Sequence, residues 1–174
     1  TIVIEITPAE IWNISGGKVK FYQPLKTAVD VFHSYGFNVH VLAVIGFNNI
    51  PNMTVVHSDG STEAWLDLNK NVTREAWYAM MKSLVTDYDI DGFMFDYIRY
   101  KGQDMCFCNE CKAKFIAETG LTDVNWPTDC LEGERYYWNF IQWRADSITE
   151  FVKESVSLMK SLKPDLIISA AIFT

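Results

Sequence analysis

The sequence predicts an α/β fold of about four parallel strands with intervening helices, a partial (β/α)8 TIM barrel. Three observations point there. Strand-like and helix-like segments alternate along the chain, and alternation implies parallel strands joined by right-handed crossovers. The connections after strands (9–24, 48–70, 97–108) are long, whereas those before strands (36–37, 89–90, 163–165) are very short. That asymmetry belongs to barrels that build function at the C-terminal ends of their strands. A doubly wound sheet is the competitor, but it carries a Gly-rich phosphate turn after its first strand, and Gly16-Gly17 is not one. The third observation is size. The 174 residues make a single domain, 1–174, but a closed barrel takes eight strands and about 250 residues. The chain therefore reads as half a barrel. It is an excised fragment, or it covers its open edges with the remainder of the barrel or a second copy.

Each element has its own signal. In residues 1–7, Ile2, Ile4 and Ile6 alternate with Val3, Glu5 and Thr7, which makes a strand ended by Pro8. A helix over about 25–35 puts Leu25, Val29 and Phe32 on one stripe and stops at Gly36. The run 38–47 is almost continuously apolar, like a strand covered on both faces. A long polar connection follows. The next helix, about 72–88, spaces Val72, Ala76, Met80, Leu84 and Tyr88 four apart. Asp91-Gly92 opens a strand through Phe93 to Asp96, continuing towards Arg99. A cysteine-bearing loop leads to a short helix, about 109–119, stopped by Gly120. A long amphipathic helix covers about 134–162, with Tyr137, Ile141, Ile148, Val152 and Met159 on its stripe and Pro164 as its stop. Leu166–Phe173 is the last strand.

Composition narrows the function. Hydrophobic residues make up 49% and charged residues 21%, enough to bury a core. Fifteen Lys and Arg against 22 Asp and Glu leave a net charge of −7. That balance argues against nucleic acid, which needs a basic face, and against an anionic membrane surface. No apolar run reaches the roughly 18 residues of a membrane span. The chain opens at Thr1 without a signal peptide, which reads as a processed or excised N-terminus. Asn-x-Ser/Thr sequons at Asn13, Asn52 and Asn71 hint at a secreted, periplasmic or cell-surface protein.

Chemistry concentrates in the stretch Tyr88–Tyr100. Gly92, Met94 and Asp96 share one face of its strand and Phe93 and Phe95 the other. With the phenylalanines facing helices, Asp96 points into the barrel at its C-terminal mouth, as a nucleophile or general base would. Asp91, at the opposite end, caps the turn, and Asp89 is solvated. Glu5 lies opposite three isoleucines, so it is expected buried inside the barrel, where it binds inner-layer polar groups or a substrate hydroxyl, or modulates Asp96. His40 shares a face with Leu42 and Val44; it is a core histidine or a sugar ligand. Trp12, Trp65, Tyr97 and Tyr100 lie on or near post-strand loops, where aromatic rings stack on sugar faces or simply pack the loops. Trp77, Trp138 and Trp143 are expected in the core. Cys106, Cys108 and Cys111 form Cys-x-Cys-x-x-Cys, and Cys130 follows. Four thiolates are able to hold a structural zinc; disulfides and free thiols are the alternatives.

Several of these segments together resemble a family. Phe21–Lys26 with Val31–His40, Trp65–Arg74, Asp87–Tyr100, Trp143-Arg144 and Lys163-Pro164 resemble, in order and spacing, blocks of the glycosyl-hydrolase-like family 10 barrels. The resemblance implies strands two to five of an eight-stranded barrel. It implies a glycoside hydrolase acting on a polysaccharide or glycan, with Asp96 as nucleophile or base and no cofactor for catalysis. Tyr97, Arg99, His40 and Glu5 would orient the sugar or tune Asp96, and Trp12 and Trp65 would be stacking platforms. Gly92–Asp96 also resembles the fourth-strand nucleophile motif of α-amylase-type barrels, although Met94 stands where those carry Arg. The cysteine loop resembles the zinc loop of family-42 β-galactosidases. Leu42 stands where the family-10-like block has Trp, and the last strand offers no carboxylate. The proton donor would then come from beyond residue 174, from a loop or from Glu5. A non-catalytic barrel that binds carbohydrate or a partner protein is the alternative.

Overall fold

A computed structural model describes residues 1–6 and 23–172. Pro8, Trp12, Asn13, Gly16, Gly17 and Phe173 therefore lie outside the described residues. In chain order the elements are β1 (Ile2–Ile6), α1 (Gln23–Ser34), β2 (Val39–Val44), β3 (Thr54–Val56), β4 (Thr62–Leu66), α2 (Asn71–Asp87), β5 (Gly92–Asp96), α3 (Asn109–Thr119), a 3-10 turn (Thr128–Cys130), α4 (Tyr137–Leu162) and β6 (Ile167–Ala170).

The main sheet has the order β1-β2-β5-β6, and every pairing in it is parallel. A doubly wound sheet reverses its strand order at a switch point. This sheet advances in one direction only, as a barrel wall does. The fold is thus α/β, a partial TIM barrel.

Side-chain parity decides which face meets the helices. Val41 and Ala43 pair with Phe93 and Phe95, and all four are buried. They form one core with Val29 of α1, Trp77, Met80 and Leu84 of α2, and Phe151 and Met159 of α4. Each fully buried phenylalanine contributes about 1.5–3 kcal/mol by leaving water. The other face carries Val3, Glu5, His40, Leu42, Met94, Asp96 and Ser169, none of them fully buried. β2 is thus covered tightly on one side and only partly on the other.

Three sequence expectations shift. The connection 48–70 holds an antiparallel hairpin, β3 with β4. Three residues in β3 are too few to display a period. On α2 the buried residues are Thr73, Trp77, Met80, Met81, Leu84 and Val85, while Val72 is exposed. The stripe is rotated because Trp77, the largest side chain, takes the centre. On α4 the buried stripe includes Phe140, Arg144, Ser147, Phe151 and Ser155, while Ile141, Ile148 and Val152 are half-buried. Arg144 donates to the Met105 carbonyl at 3.0 Å and Ser147 to Asn69 Oδ1 at 2.5 Å, so these polar groups enter the core with partners. Trp138 is 75% exposed, not core; it faces away from that stripe. Trp77 and Trp143 are buried as expected.

A second cluster sits beside the barrel wall. Cys106, Phe107, Cys111, Phe115, Cys130, Tyr136, Phe140 and Trp143 pack together there. α3 starts from Cys108, whose sulfur accepts the Cys111 N–H, and ends at Gly120, which has φ 70°, the left-handed cap that glycine adopts without strain.

Candidate functional site

Asp96 is the last residue of β5 and pairs with Val44 of β2. It is half-buried, lies on the face opposite Phe95, and its Oδ1 accepts the Tyr97 N–H at 2.8 Å. Among the described residues it makes no ion pair. The chain turns sharply after it: Tyr97 has φ 53°, a left-handed conformation that costs a non-glycine residue energy and recurs at functional sites. A cavity of about 320 Å³ opens beside this turn, lined by Tyr97, Ile98, Arg99, Ala171 and Ile172 at the C-terminal ends of β5 and β6. Asp96 is next to the cavity in sequence but is not part of its lining.

An aromatic group flanks the rim. Tyr97 is 37% exposed and its ring lies 5.8 Å from Trp65 and 6.4 Å from Phe47. The Arg99 guanidinium sits over both, 5.4 Å from Tyr97 and 5.5 Å from Trp65. Trp65 itself is only 3% exposed. Its Nε1 donates to the Arg99 carbonyl at 2.8 Å, and its indole fills the space where a Cβ on Gly46 would sit. It supports Tyr97 and Arg99 from below rather than offering an open stacking face.

The other candidates separate. His40 faces Gly92 across β2 and β5 with its ring flat against that glycine; a Cβ there would lie 2.6 Å from ring atoms. Its Nε2 is buried without a hydrogen-bond partner among the described residues. Glu5 is exposed, not buried as expected, because no described element covers the inner face at β1. Trp12 lies outside the described residues. Tyr100 turns away from the rim: its hydroxyl donates to Asp67 Oδ1 at 3.0 Å and accepts from Asn69 Nδ2 at 2.8 Å. Burial and the nearby Asp67 charge push that hydroxyl well above the usual tyrosine range.

Asp91, at the opposite end of β5, binds the Val39 N–H and His33 Nε2, each at 2.7 Å. Burial raises its pKa, but the Val39 N–H and His33 outweigh it and hold the carboxyl below its ordinary value. This is the structural role expected of it.

Asp67 was not singled out from the sequence. It is fully buried between Leu66 and Leu68, and Cys111 Sγ approaches its Oδ2 at 3.1 Å. Cys108 Sγ lies 3.3 Å from Cys111 Sγ, and Cys106 Sγ accepts from Asn69 Nδ2 at 3.2 Å. The donor atoms of Asp67, Cys108 and Cys111 all fall within 4.8 Å of one another. Hydrogen bonding with Cys111 lowers the Cys108 thiol to about 6, whereas burial raises Cys106 to about 11. Of the four cysteines expected together, Cys106 and Cys130 both stand outside this group; Cys130 lies on the 3-10 turn, its thiol raised to about 12 by burial. The available signal was that Asp67 lies inside the Trp65–Arg74 segment, flanked by leucines.

The comparisons bear on the fold around this rim. The chain superimposes on α-L-fucosidase isoenzyme 2 from Paenibacillus thiaminolyticus with a TM-score of 0.65 at 15% identity, over 87% of this chain and 23% of that one. A hypothetical protein from Ruminiclostridium thermocellum ATCC 27405 superimposes with a TM-score of 0.56 at 18% identity, over 98% of this chain and 82% of that one. The chain thus spans about a quarter of the fucosidase. No curated protein is matched. None of the described helices is long and apolar enough to cross a membrane. The sequence model of Glycosyl hydrolase-like 10 matches residues 40–173, most of the chain, from the second residue of β2 through β6. With its parallel barrel wall and its aspartate at a C-terminal strand end, the chain belongs to the Glycosyl hydrolase-like 10 family.

Proposed function

We propose that the chain is the part of a glycoside hydrolase barrel that supplies one catalytic carboxylate, Asp96, to a carbohydrate substrate. The observation that carries this reading is Asp96 itself, a half-buried carboxylate that makes no ion pair among the described residues, at the end of a parallel strand and next in sequence to the residues that line a cavity. Carboxylates placed so act as nucleophile at an anomeric carbon or as base towards water. Tyr97 and Arg99 would hold the sugar at the rim, with Trp65 behind them. His40 would offer its unpartnered Nε2 to a hydroxyl.

We do not take Glu5 as the second carboxyl group. Glu5 pairs with Leu42, which pairs with Met94, so it stands two strands away from Asp96 and one inner layer below it. Strand spacing of about 4.8 Å and a rise of about 3.3 Å per residue put the two backbones about 12 Å apart. Retaining pairs stand about 5 Å apart and inverting pairs about 6.5–9.5 Å. Glu5 is better placed to bind a substrate hydroxyl, and the proton donor comes from a part of the barrel beyond these strands. On this reading the chain provides strands two to five of eight.

The test uses the full-length protein that carries this chain. Reducing-sugar release is measured across a panel of aryl glycosides and polysaccharides, for wild type and Asp96→Asn. The expected result is release by wild type and a drop of about 10²–10⁴-fold in the variant, the range for removing an acid–base group. Activity kept within a few-fold removes Asp96 from the mechanism. Glycan binding without release favours a non-catalytic carbohydrate-binding barrel, for which the single well-placed carboxylate speaks.

A further inference from the structure

Away from the rim, four side chains that the proposed hydrolysis does not use converge behind the barrel wall. We infer that Asp67, Cys106, Cys108 and Cys111 form a structural zinc centre, in which the aspartate and not Cys130 completes the set. Three of the donors, Asp67, Cys108 and Cys111, already lie within 4.8 Å of one another. The sulfurs of Cys108 and Cys111 are 3.3 Å apart, and Cys111 Sγ is 3.1 Å from Asp67 Oδ2. A tetrahedral zinc with bonds of about 2.3 Å to sulfur has S···S edges of about 3.8 Å, so small shifts admit the ion. The 3.3 Å gap is far longer than the roughly 2.05 Å of a disulfide. Cys106 Sγ lies outside that 4.8 Å group, but it accepts from Asn69 Nδ2, which also donates to the Tyr100 hydroxyl bound to Asp67, so the third sulfur stands beside the other donors.

The carboxylate is the stronger argument. Asp67 has no exposed surface, and among the described residues it makes no ion pair. Its oxygens meet the Tyr100 hydroxyl, the Asn69 N–H and the Cys111 sulfur. A buried carboxylate is costly unless it pairs with a cation or binds a metal, and no lysine or arginine hydrogen-bonds this one. A borderline-soft ion with thiolate and carboxylate donors fits zinc better than calcium or magnesium, which take oxygen ligands.

The ligands come from three separate pieces of chain. Asp67 directly follows β4, Cys106 and Cys108 close the loop that leaves β5, and Cys111 lies in the first turn of α3. An ion there would fasten the hairpin and α3 to the loop that begins at Tyr97 and Arg99. The centre is a positioning device for the rim, and its existence does not depend on whether Asp96 is catalytic.

The test is metal content of the full-length protein, purified without chelator. Elemental analysis is expected to give one zinc per chain. Cobalt substitution is expected to give tetrahedral d–d bands and thiolate charge transfer. Cys130→Ser should keep the zinc, and Cys108→Ser with Cys111→Ser should lose it. Asp67→Asn should release zinc to a chromophoric chelator at least ten-fold faster. The inference is overturned if wild type, with zinc supplied, binds none. It also falls if its intact mass is lighter by two hydrogens from a Cys108–Cys111 disulfide, or if Cys130→Ser loses the metal and Asp67→Asn keeps it. The wild-type metal and mass readouts decide the matter even where a variant fails to fold.

Discussion

β5 begins beside one aspartate and ends on another, and the two are treated in opposite ways. Asp91, at the entry, is tied to the Val39 N–H and to His33 of α1, and so fastens the strand to its neighbours. Asp96, at the exit, binds among the described residues only the N–H of the next residue, and the chain after it lines a cavity with Tyr97 and Arg99. Five residues apart, the same side chain closes one end of the barrel wall and leaves the other open. In a barrel the N-terminal end of the strands carries stability and the C-terminal end carries chemistry. The difference lies in the partners: a carboxylate whose lone pairs are spent on the fold is not available to a substrate.

The largest expected effect separates the two ends directly. Asp96→Asn should lower turnover of the full-length protein by about 10²–10⁴-fold and leave its melting temperature nearly unchanged. Asp91→Ala should do the reverse, leaving turnover within a few-fold. Equal losses of stability in both variants would break the comparison, because Asp96 would then also be holding the fold together.

Next in size is a variant on the inner face at the start of β5. Gly92 gives up its Cβ so that the His40 ring can lie against it, at a distance where a methyl would sit 2.6 Å from ring atoms. Gly92→Ala should cost about 1–3 kcal/mol through overpacking. It should also raise KM if His40 binds substrate, because the ring must move. Adding His40→Ala should restore most of the stability and none of the binding. If Gly92→Ala leaves the chemical denaturation midpoint unchanged, the inner face is looser than its packing indicates.

The strand that carries this comparison was readable because its pattern is short and strict. Phe93 and Phe95 alternate with Gly92, Met94 and Asp96, and a period of two fixes which side meets the helices. Connection lengths then pointed to the barrel, and made the C-terminal strand ends the expected place for function. What failed to show was anything set by tertiary contact. The stripe of α4 was expected along its aliphatic residues, yet Arg144 and Ser147 are buried because Met105 and Asn69 wait there as partners. Tyr100 looks like a rim aromatic from its position, but its hydroxyl is drawn inward by Asp67. Asp67 itself sits in a segment with no period, and only the fold brings it to Cys111, 44 residues later. Glu5 was expected to be buried, and it is exposed on the described sheet.

The smallest effect is the pH dependence at the entry end. The Val39 N–H and His33 outweigh the burial of Asp91, so its folded pKa lies below the unfolded 3.8. A depressed carboxylate adds stability that is present above the unfolded value and is lost as pH falls through the folded one. The side chain is 30% exposed, so removal of its two hydrogen bonds in Asp91→Ala should cost about 1–2 kcal/mol at neutral pH. Below pH 3.8 that gap should narrow, since wild type must then protonate the same group and surrender the same bonds. Denaturant melts of both proteins at neutral pH and at successive values below 3.8 measure it. A gap that stays constant as the pH falls would mean that the carboxylate charge contributes nothing at this end. Asp91 would then hold β5 by shape alone, and the contrast with Asp96 would rest on exposure rather than on charge.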